Sequence, residues 1–120
     1  MEFLSQSGRR WETIRDAGEW VIISDYPLPP GYNVSHATVA LKIEGGYPVT
    51  QIDMVYFDPP LGRQDGKPIG ALSPQPISGR QFQRWSRHRT GENPWRPGVD
   101  DISTHLSLVD FWLEREFKLR

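Results

Sequence analysis

A serine and a histidine two residues apart are the strongest candidates for chemistry in this chain. Ser86 and His88 lie in the segment 84–89, which reads RWSRHR. On an extended backbone, side chains two positions apart project from the same side. A serine hydroxyl becomes a useful nucleophile when a base takes its proton, and imidazole is the usual base. Ser86 is therefore a candidate nucleophile and His88 its candidate base; the alternative is an exposed basic strand with a solvated histidine.

The same segment lies within a basic stretch that runs from Arg80 to Arg96. It holds five arginines against one glutamate, a local net charge of +4 in a chain whose total is −1. Arginines interleaved with aromatic rings are typical of surfaces that bind single-stranded nucleic acid. One patch on a nearly neutral chain is a small footprint for phosphates, so we favour a protein partner over nucleic acid or a plain surface. The candidate binding residues are Arg84, Trp85, Arg87, Arg89 and Trp95.

Trp95 opens a second motif, Trp-Arg-Pro-Gly, which leads into the last element of the chain. Its architectural interpretation is an indole that anchors a loop against that element. The remaining histidines, His36 and His105, have no ligand-like spacing to each other or to His88, so we predict no metal site and no cofactor. For His105, beside Leu106, we expect a hydrogen-bonded structural role.

Composition excludes several other kinds of site. None of the 120 residues is cysteine, which excludes disulfides, zinc-thiolate sites, iron–sulfur sites and a cysteine nucleophile. No apolar run exceeds four residues, as at 20–23, so no membrane span is predicted. The amino-terminal residues show no secretory signal. We therefore expect one cytoplasmic domain over residues 1–120, without a membrane partner.

The periodicity of apolar residues predicts the elements that must position these side chains. In the segment 37–43, Val39, Leu41 and Ile43 alternate with less apolar residues, as in a half-buried strand. The proline-rich stretch 58–76 is expected to be irregular, and 81–89 fits an extended segment better than a helix. The four predicted strands cover residues 11–15, 19–24, 37–43 and 52–57.

A terminal helix is the clearest predicted element. Apolar residues recur at spacings of four, three, four and four, which is one face of an α-helix. Asp100 and Asp101 stand at its start, where an acidic side chain caps free amides. The chain is therefore predicted to be α+β, an antiparallel four-stranded meander with a helix packed on it. The apolar stripe consists of Ile102, Leu106, Val109, Leu113 and Phe117.

The order of these pieces resembles the ubiquitin-conjugating (UBC) fold over nearly the whole chain. The Tyr-Pro at 47–48, the Pro-Pro at 59–60 and the Trp-x-Pro at 95–97 are similar to pieces of the conjugating enzymes, which also have a long irregular active-site segment before a helix. More narrowly, the chain resembles a bacterial family of cysteine-less UBC-like proteins. That resemblance implies a ubiquitin-like (β-grasp) protein and an adenylating activating enzyme as partners, encoded together in an antiphage defence operon.

Two departures from the conjugating enzymes bear on the mechanism. The cysteine is missing, and so is the His-Pro-Asn motif that precedes it. Ser86, nine residues before Trp95, stands close to the cysteine's place, and the arginines around it would favour a developing oxyanion. The resemblance therefore implies a transferase that carries the modifier on Ser86 as an oxyester, with His88 as base. The alternative is a non-catalytic module that binds a ubiquitin-like protein.

Overall fold

A computed structural model describes residues 10–16, 18–43, 54–87, 95–96, 100 and 102–119. These residues form six strands followed by one helix, so the α+β prediction is confirmed. The strands are β1 (Trp11–Arg15), β2 (Glu19–Pro27), β3 (His36–Ile43), β4 (Val55–Asp58), β5 (Leu72–Ile77) and β6 (Arg80–Trp85), and the helix is α1 (Ile102–Leu119).

All six strands belong to one antiparallel sheet, in the order β1-β2-β3-β4-β6-β5. The first four strands are neighbours in chain order, as a meander requires. The prediction of only four strands is wrong, because a hairpin of β5 and β6 adds two more, with β6 paired to β4. Of the strand predicted at 52–57, residues 52 and 53 lie outside the described residues, and β4 extends one residue further, to Asp58.

Strand β5 lies where the sequence predicted an irregular connection. Pro74 and Pro76 caused the error, since proline is unfavourable inside a sheet. Among the strands that the structure describes, β5 lies at the edge of the sheet, so the nitrogens of these two residues are not needed for pairing with a further strand. The turn to β6 is short: Ser78 and Gly79 both have positive φ, 49° and 81°, as in the turns that suit two-residue hairpins.

Strand β2 shows why the sheet is buried on both faces. Its residues 20–23 are all apolar and all at most 3% exposed. Val21 and Ile23 belong to the large cluster that includes the helix, whereas Trp20 and Ile22 belong to a smaller cluster on the opposite face. In that smaller cluster the rings of Trp20 and Tyr56 meet edge to face at 5.0 Å. Alternation along one strand therefore supplies two cores.

Helix α1 confirms the predicted apolar stripe. Four of its members, Ile102, Leu106, Val109 and Leu113, are buried, and the fifth is half-buried against the same cluster. The helix begins at Ile102, two residues after the predicted start. Within the described part of the chain, no helix has the length and apolarity that a membrane crossing requires.

Asp100 fastens the approach to this helix. Its carboxylate accepts a hydrogen bond from the main-chain amide of Arg96 at 2.7 Å. Although burial acts to raise it, the pKa of Asp100 is lowered by hydrogen bonds from Arg96 and from the Thr104 side chain. Asp100 thus ties the preceding loop to the first turn of α1, while Asp101, the other predicted cap, lies outside the described residues.

Candidate functional site

Ser86 lies immediately after β6 and is half-buried. Its main-chain amide donates to the carbonyl of Ala71 at 3.0 Å, just before β5 begins. On the other side, the amide of Met54 donates to the carbonyl of Arg87 at 3.1 Å, just before β4. The candidate nucleophile therefore sits where the ends of three neighbouring strands meet, and main-chain hydrogen bonds hold its segment from two sides.

The side chain of Arg87 points into the protein. Its Nη1 donates to the carbonyl of Gly70 at 3.0 Å and to that of Ser86 at 3.3 Å. Its Nη2 pairs with a carboxylate oxygen of Glu116, on helix α1, at 3.2 Å. The guanidinium also lies 4.9 Å from the ring centroid of Trp85. Arg87, expected to contact a partner, is thus engaged inside the molecule.

Trp85 is also not at the surface. It is fully buried, its ring meets that of Phe57 edge to face at 5.3 Å, and its Nε1 donates to the side-chain carbonyl of Gln83 at 2.9 Å. Burying a large aromatic ring at the end of β6 contributes strongly to fixing that strand. Trp85 therefore anchors the segment that carries Ser86 instead of presenting a surface to a partner.

The other predicted binding residues are distributed around this segment. Arg84 is half-buried, and its Nε donates to the Ser73 hydroxyl on β5 at 2.9 Å. Trp95 is half-buried against the large apolar cluster, as its architectural interpretation predicts. His88 and Arg89 lie outside the described residues.

The basic stretch is largely neutralised within the fold. Arg80 pairs with Asp58 at 2.8 Å, Arg87 with Glu116 at 3.2 Å, and Arg96 with Asp100 at 3.5 Å. Three of its arginines thus have carboxylate partners from other parts of the chain. Its +4 along the sequence does not translate into four unpaired positive charges at the surface, which further weakens its case as a phosphate-binding patch.

A buried polar network under this segment was not predicted from the sequence. Glu116 is 1% exposed, and its main-chain carbonyl accepts from Nη1 of Arg63 at 2.9 Å. Arg63 is also buried and forms an ion pair with Asp65. Burial raises the pKa of Tyr32 in the same network, and the negative charge of Glu116 raises it further. One sequence feature could have indicated this network. Glu116 lies four residues after the apolar Trp112, which places both side chains on the same face of the predicted helix.

His105 is a structural residue, as expected. It is fully buried on α1, and its Nε2 donates to the carbonyl of Met54 at 2.9 Å. Its ring meets that of Trp112 edge to face at 5.6 Å. Among the described residues, no three His, Cys, Asp or Glu side chains lie close enough together to hold a metal ion.

Comparison with known proteins identifies a family for this chain. A family model described as prokaryotic E2 family E matches residues 1–116. No curated protein and no solved structure gives a match. The family resemblance noted in the sequence is thereby confirmed, whereas the ubiquitin-conjugating fold itself stays a prediction.

Proposed function

We propose, from the premise that this chain belongs to prokaryotic E2 family E, that it accepts the C-terminus of a ubiquitin-like protein from an activating enzyme and carries it as an oxyester on Ser86. Membership of the family supports a conjugating role in general and partners of these two kinds. The acceptor residue and the ester are the further step that we propose.

The observation that carries this step is the position of Ser86 in a chain without cysteine. A conjugating protein needs a nucleophile, and here it must be an oxygen or a nitrogen. Ser86 is half-buried at the end of β6, with its segment fixed by main-chain bonds to Ala71 and Met54. A fixed backbone favours acylation because it holds the attacking atom near one geometry.

The reaction is an acyl transfer with no change in oxidation state. The Ser86 Oγ forms a bond to the terminal carbonyl carbon of the modifier, and the bond from that carbon to the activating enzyme's leaving group breaks. The serine proton passes to His88 and from there to the leaving group. Transfer to an acceptor then reverses the roles, as the acceptor attacks the ester and Oγ regains its proton.

The second candidate, a module that binds a ubiquitin-like protein without catalysis, is favoured by one observation. The main-chain amides of Ser86 and Arg87 already donate to the carbonyls of Ala71 and Trp85. The guanidinium of Arg87 is likewise engaged with Glu116. None of these donors is directed at a developing oxyanion beside Ser86, so oxyanion stabilisation would depend on residues outside this group.

The deciding experiment is an intact-mass measurement after incubation with the ubiquitin-like protein, its activating enzyme and ATP. The proposal expects an adduct that survives a thiol reductant, is cleaved by hydroxylamine, and is absent from Ser86→Ala. Ser107→Ala is the matched control, because it removes an exposed hydroxyl on α1. An adduct on Ser86→Ala rules out this residue, and no adduct on the wild type, with measurable partner binding, establishes the non-catalytic module.

A further inference from the structure

One guanidinium connects helix α1 to the backbone of the candidate nucleophile. Arg87 bridges three acceptors: the Glu116 carboxylate at 3.2 Å, the Gly70 carbonyl at 3.0 Å and the Ser86 carbonyl at 3.3 Å. Its planar fork binds several oxygens in fixed directions, which a lysine ammonium does not do. The orientation of the peptide between Ser86 and Arg87 is therefore coupled to a carboxylate 29 residues after Arg87.

Glu116 is itself held in place. It is 1% exposed, and Nη1 of Arg63 donates to its main-chain carbonyl at 2.9 Å. The ring of Phe117, the next residue, lies 4.8 Å from the Arg63 guanidinium. The helix is also held one turn before Glu116, because the Tyr32 hydroxyl donates to the Leu113 carbonyl. The backbone of the helix is thus fixed at Glu116, and its buried carboxylate is the group against which Arg87 is oriented.

We propose that Glu116 is a positioning residue for acyl transfer, which acts through Arg87 to hold the Ser86 backbone in the orientation that loading requires. This inference rests on the proposed function of Ser86. A buried ion pair is weak evidence for a stabilising role, because its desolvation cost offsets much of its attraction. The pair does supply direction, since it fixes one guanidinium between the helix and two carbonyls, that of Gly70 and that of Ser86 itself.

The experiment measures the rate of adduct formation by Glu116→Gln and by Arg87→Lys. Glu116→Gln keeps the size of the side chain but removes the charge, and Arg87→Lys keeps the charge but removes the fork. Loss of positioning is expected to lower the maximal loading rate roughly 10- to 100-fold in each variant. The matched controls, Asp58→Asn and Arg10→Lys, alter ion pairs that are more exposed, and wild-type rates are expected for both.

Two further readouts separate positioning from a general structural effect. The concentration of loaded activating enzyme that gives half the maximal rate is expected to stay within about twofold of wild type, because binding surfaces are unchanged. If Glu116 acts through Arg87, the double variant is expected to be no slower than the slower single variant. Amide hydrogen exchange at Ser86 and Met54 is expected to accelerate in both single variants, since both amides bond across this segment.

Several outcomes would overturn the inference, and they differ from failure of the proposed function. If the wild type forms no adduct, both proposals fall together. If the wild type loads and Glu116→Gln loads equally fast, only the positioning role falls. If Glu116→Gln does not fold, the rate of Arg87→Lys decides alone. Accelerated exchange with an unchanged loading rate would make the pair structural only.

Discussion

The hydroxyl of Tyr32 donates a hydrogen bond of 2.6 Å to the main-chain carbonyl of Leu113, 81 residues later in the chain. Tyr32 is 2% exposed, and its ring lies 4.9 Å from that of Phe117 and 6.2 Å from that of Trp85. This one side chain therefore joins the loop after β2 to both α1 and the end of β6. The interaction fixes the helix beside the segment that carries Ser86.

Removal of the Tyr32 hydroxyl is expected to destabilise the protein modestly. Tyr32→Phe keeps the ring and its packing but loses one buried hydrogen bond, which costs about 1 kcal/mol of unfolding free energy. Urea unfolding at pH 7 measures the loss. A variant as stable as the wild type would show that this hydrogen bond contributes nothing net.

The ionisation of the Tyr32 hydroxyl predicts how stability depends on alkaline pH. Burial raises the pKa of Tyr32 above its ordinary value, and the Glu116 carboxylate adds to the shift. The folded state therefore retains a proton that the unfolded state loses above about pH 10. The stability difference between wild type and Tyr32→Phe should be constant below that pH. Above that pH the difference should fall by up to about 1.4 kcal/mol per pH unit and change sign at about pH 11, so that Tyr32→Phe is the more stable protein at pH 11.5; urea unfolding at pH 8, 10.5 and 11.5 measures this.

A side chain at Gly31 is predicted to lower the free energy of unfolding. Its φ is +112°, and a Cβ there would lie 2.6 Å from Cζ of Phe117. Gly31→Ala should cost about 2–4 kcal/mol, because backbone strain and overpacking act together. Gly66→Ala is the control: its φ is +77°, but nothing lies within 4 Å of the added carbon, so only strain of about 1 kcal/mol is expected. Equal losses in thermal unfolding would contradict the contact with Phe117.

His88 is expected to act as the general base for Ser86. His88→Ala should slow adduct formation by roughly 10²- to 10⁴-fold, the usual contribution of a positioned base. His36→Ala serves as the control, since His36 is exposed and contacts the Ser35 hydroxyl. The rate is followed by intact mass, and an unchanged rate for His88→Ala would remove the histidine from the mechanism.

The basic stretch is expected to bind single-stranded nucleic acid poorly. Arg80, Arg87 and Arg96 are already paired with carboxylates, so few charges remain to replace counterions on phosphates. Fluorescence anisotropy with a labelled oligothymidylate at physiological salt should give a Kd weaker than about 10 μM. Tight binding under these conditions would favour a nucleic-acid partner instead.

The elements that rest on local periodicity were predictable from the sequence. The alternation of Val39 and Leu41 predicts β3, and the apolar stripe of α1 predicts the helix, because each pattern reports a buried face directly. Strand β5 was not predictable in this way. Pro74 and Pro76 argue against a strand unless the strand is known to lie at an edge, and edge position is a property of the whole sheet.

In the candidate site, too, some features were predictable from the sequence and others depend on the tertiary fold. Ser86 could be singled out from the sequence because it lies two residues before His88 and nine before Trp95, in a chain that has no cysteine. The pairing of Arg87 with Glu116 was not predictable, because 29 residues separate them and the contact depends on how α1 packs on the sheet. Charge counted along the sequence assigned Arg87 to the surface, whereas the fold provides a buried carboxylate for it.

The two prolines of β5 have a consequence for self-association. Residues two apart in an antiparallel strand direct their main-chain groups to the same side, and prolines are accommodated on the side that faces away from the partner strand. At Pro74 and Pro76 the outer edge of β5 therefore has no main-chain donor, and the Pro76 carbonyl already accepts from the Gln75 side-chain amide at 3.1 Å. A second copy that approached this edge would form an incomplete hydrogen-bond ladder, so edge-to-edge pairing of two sheets through β5 is disfavoured. This edge strand is the neighbour of β6, the strand that Ser86 follows.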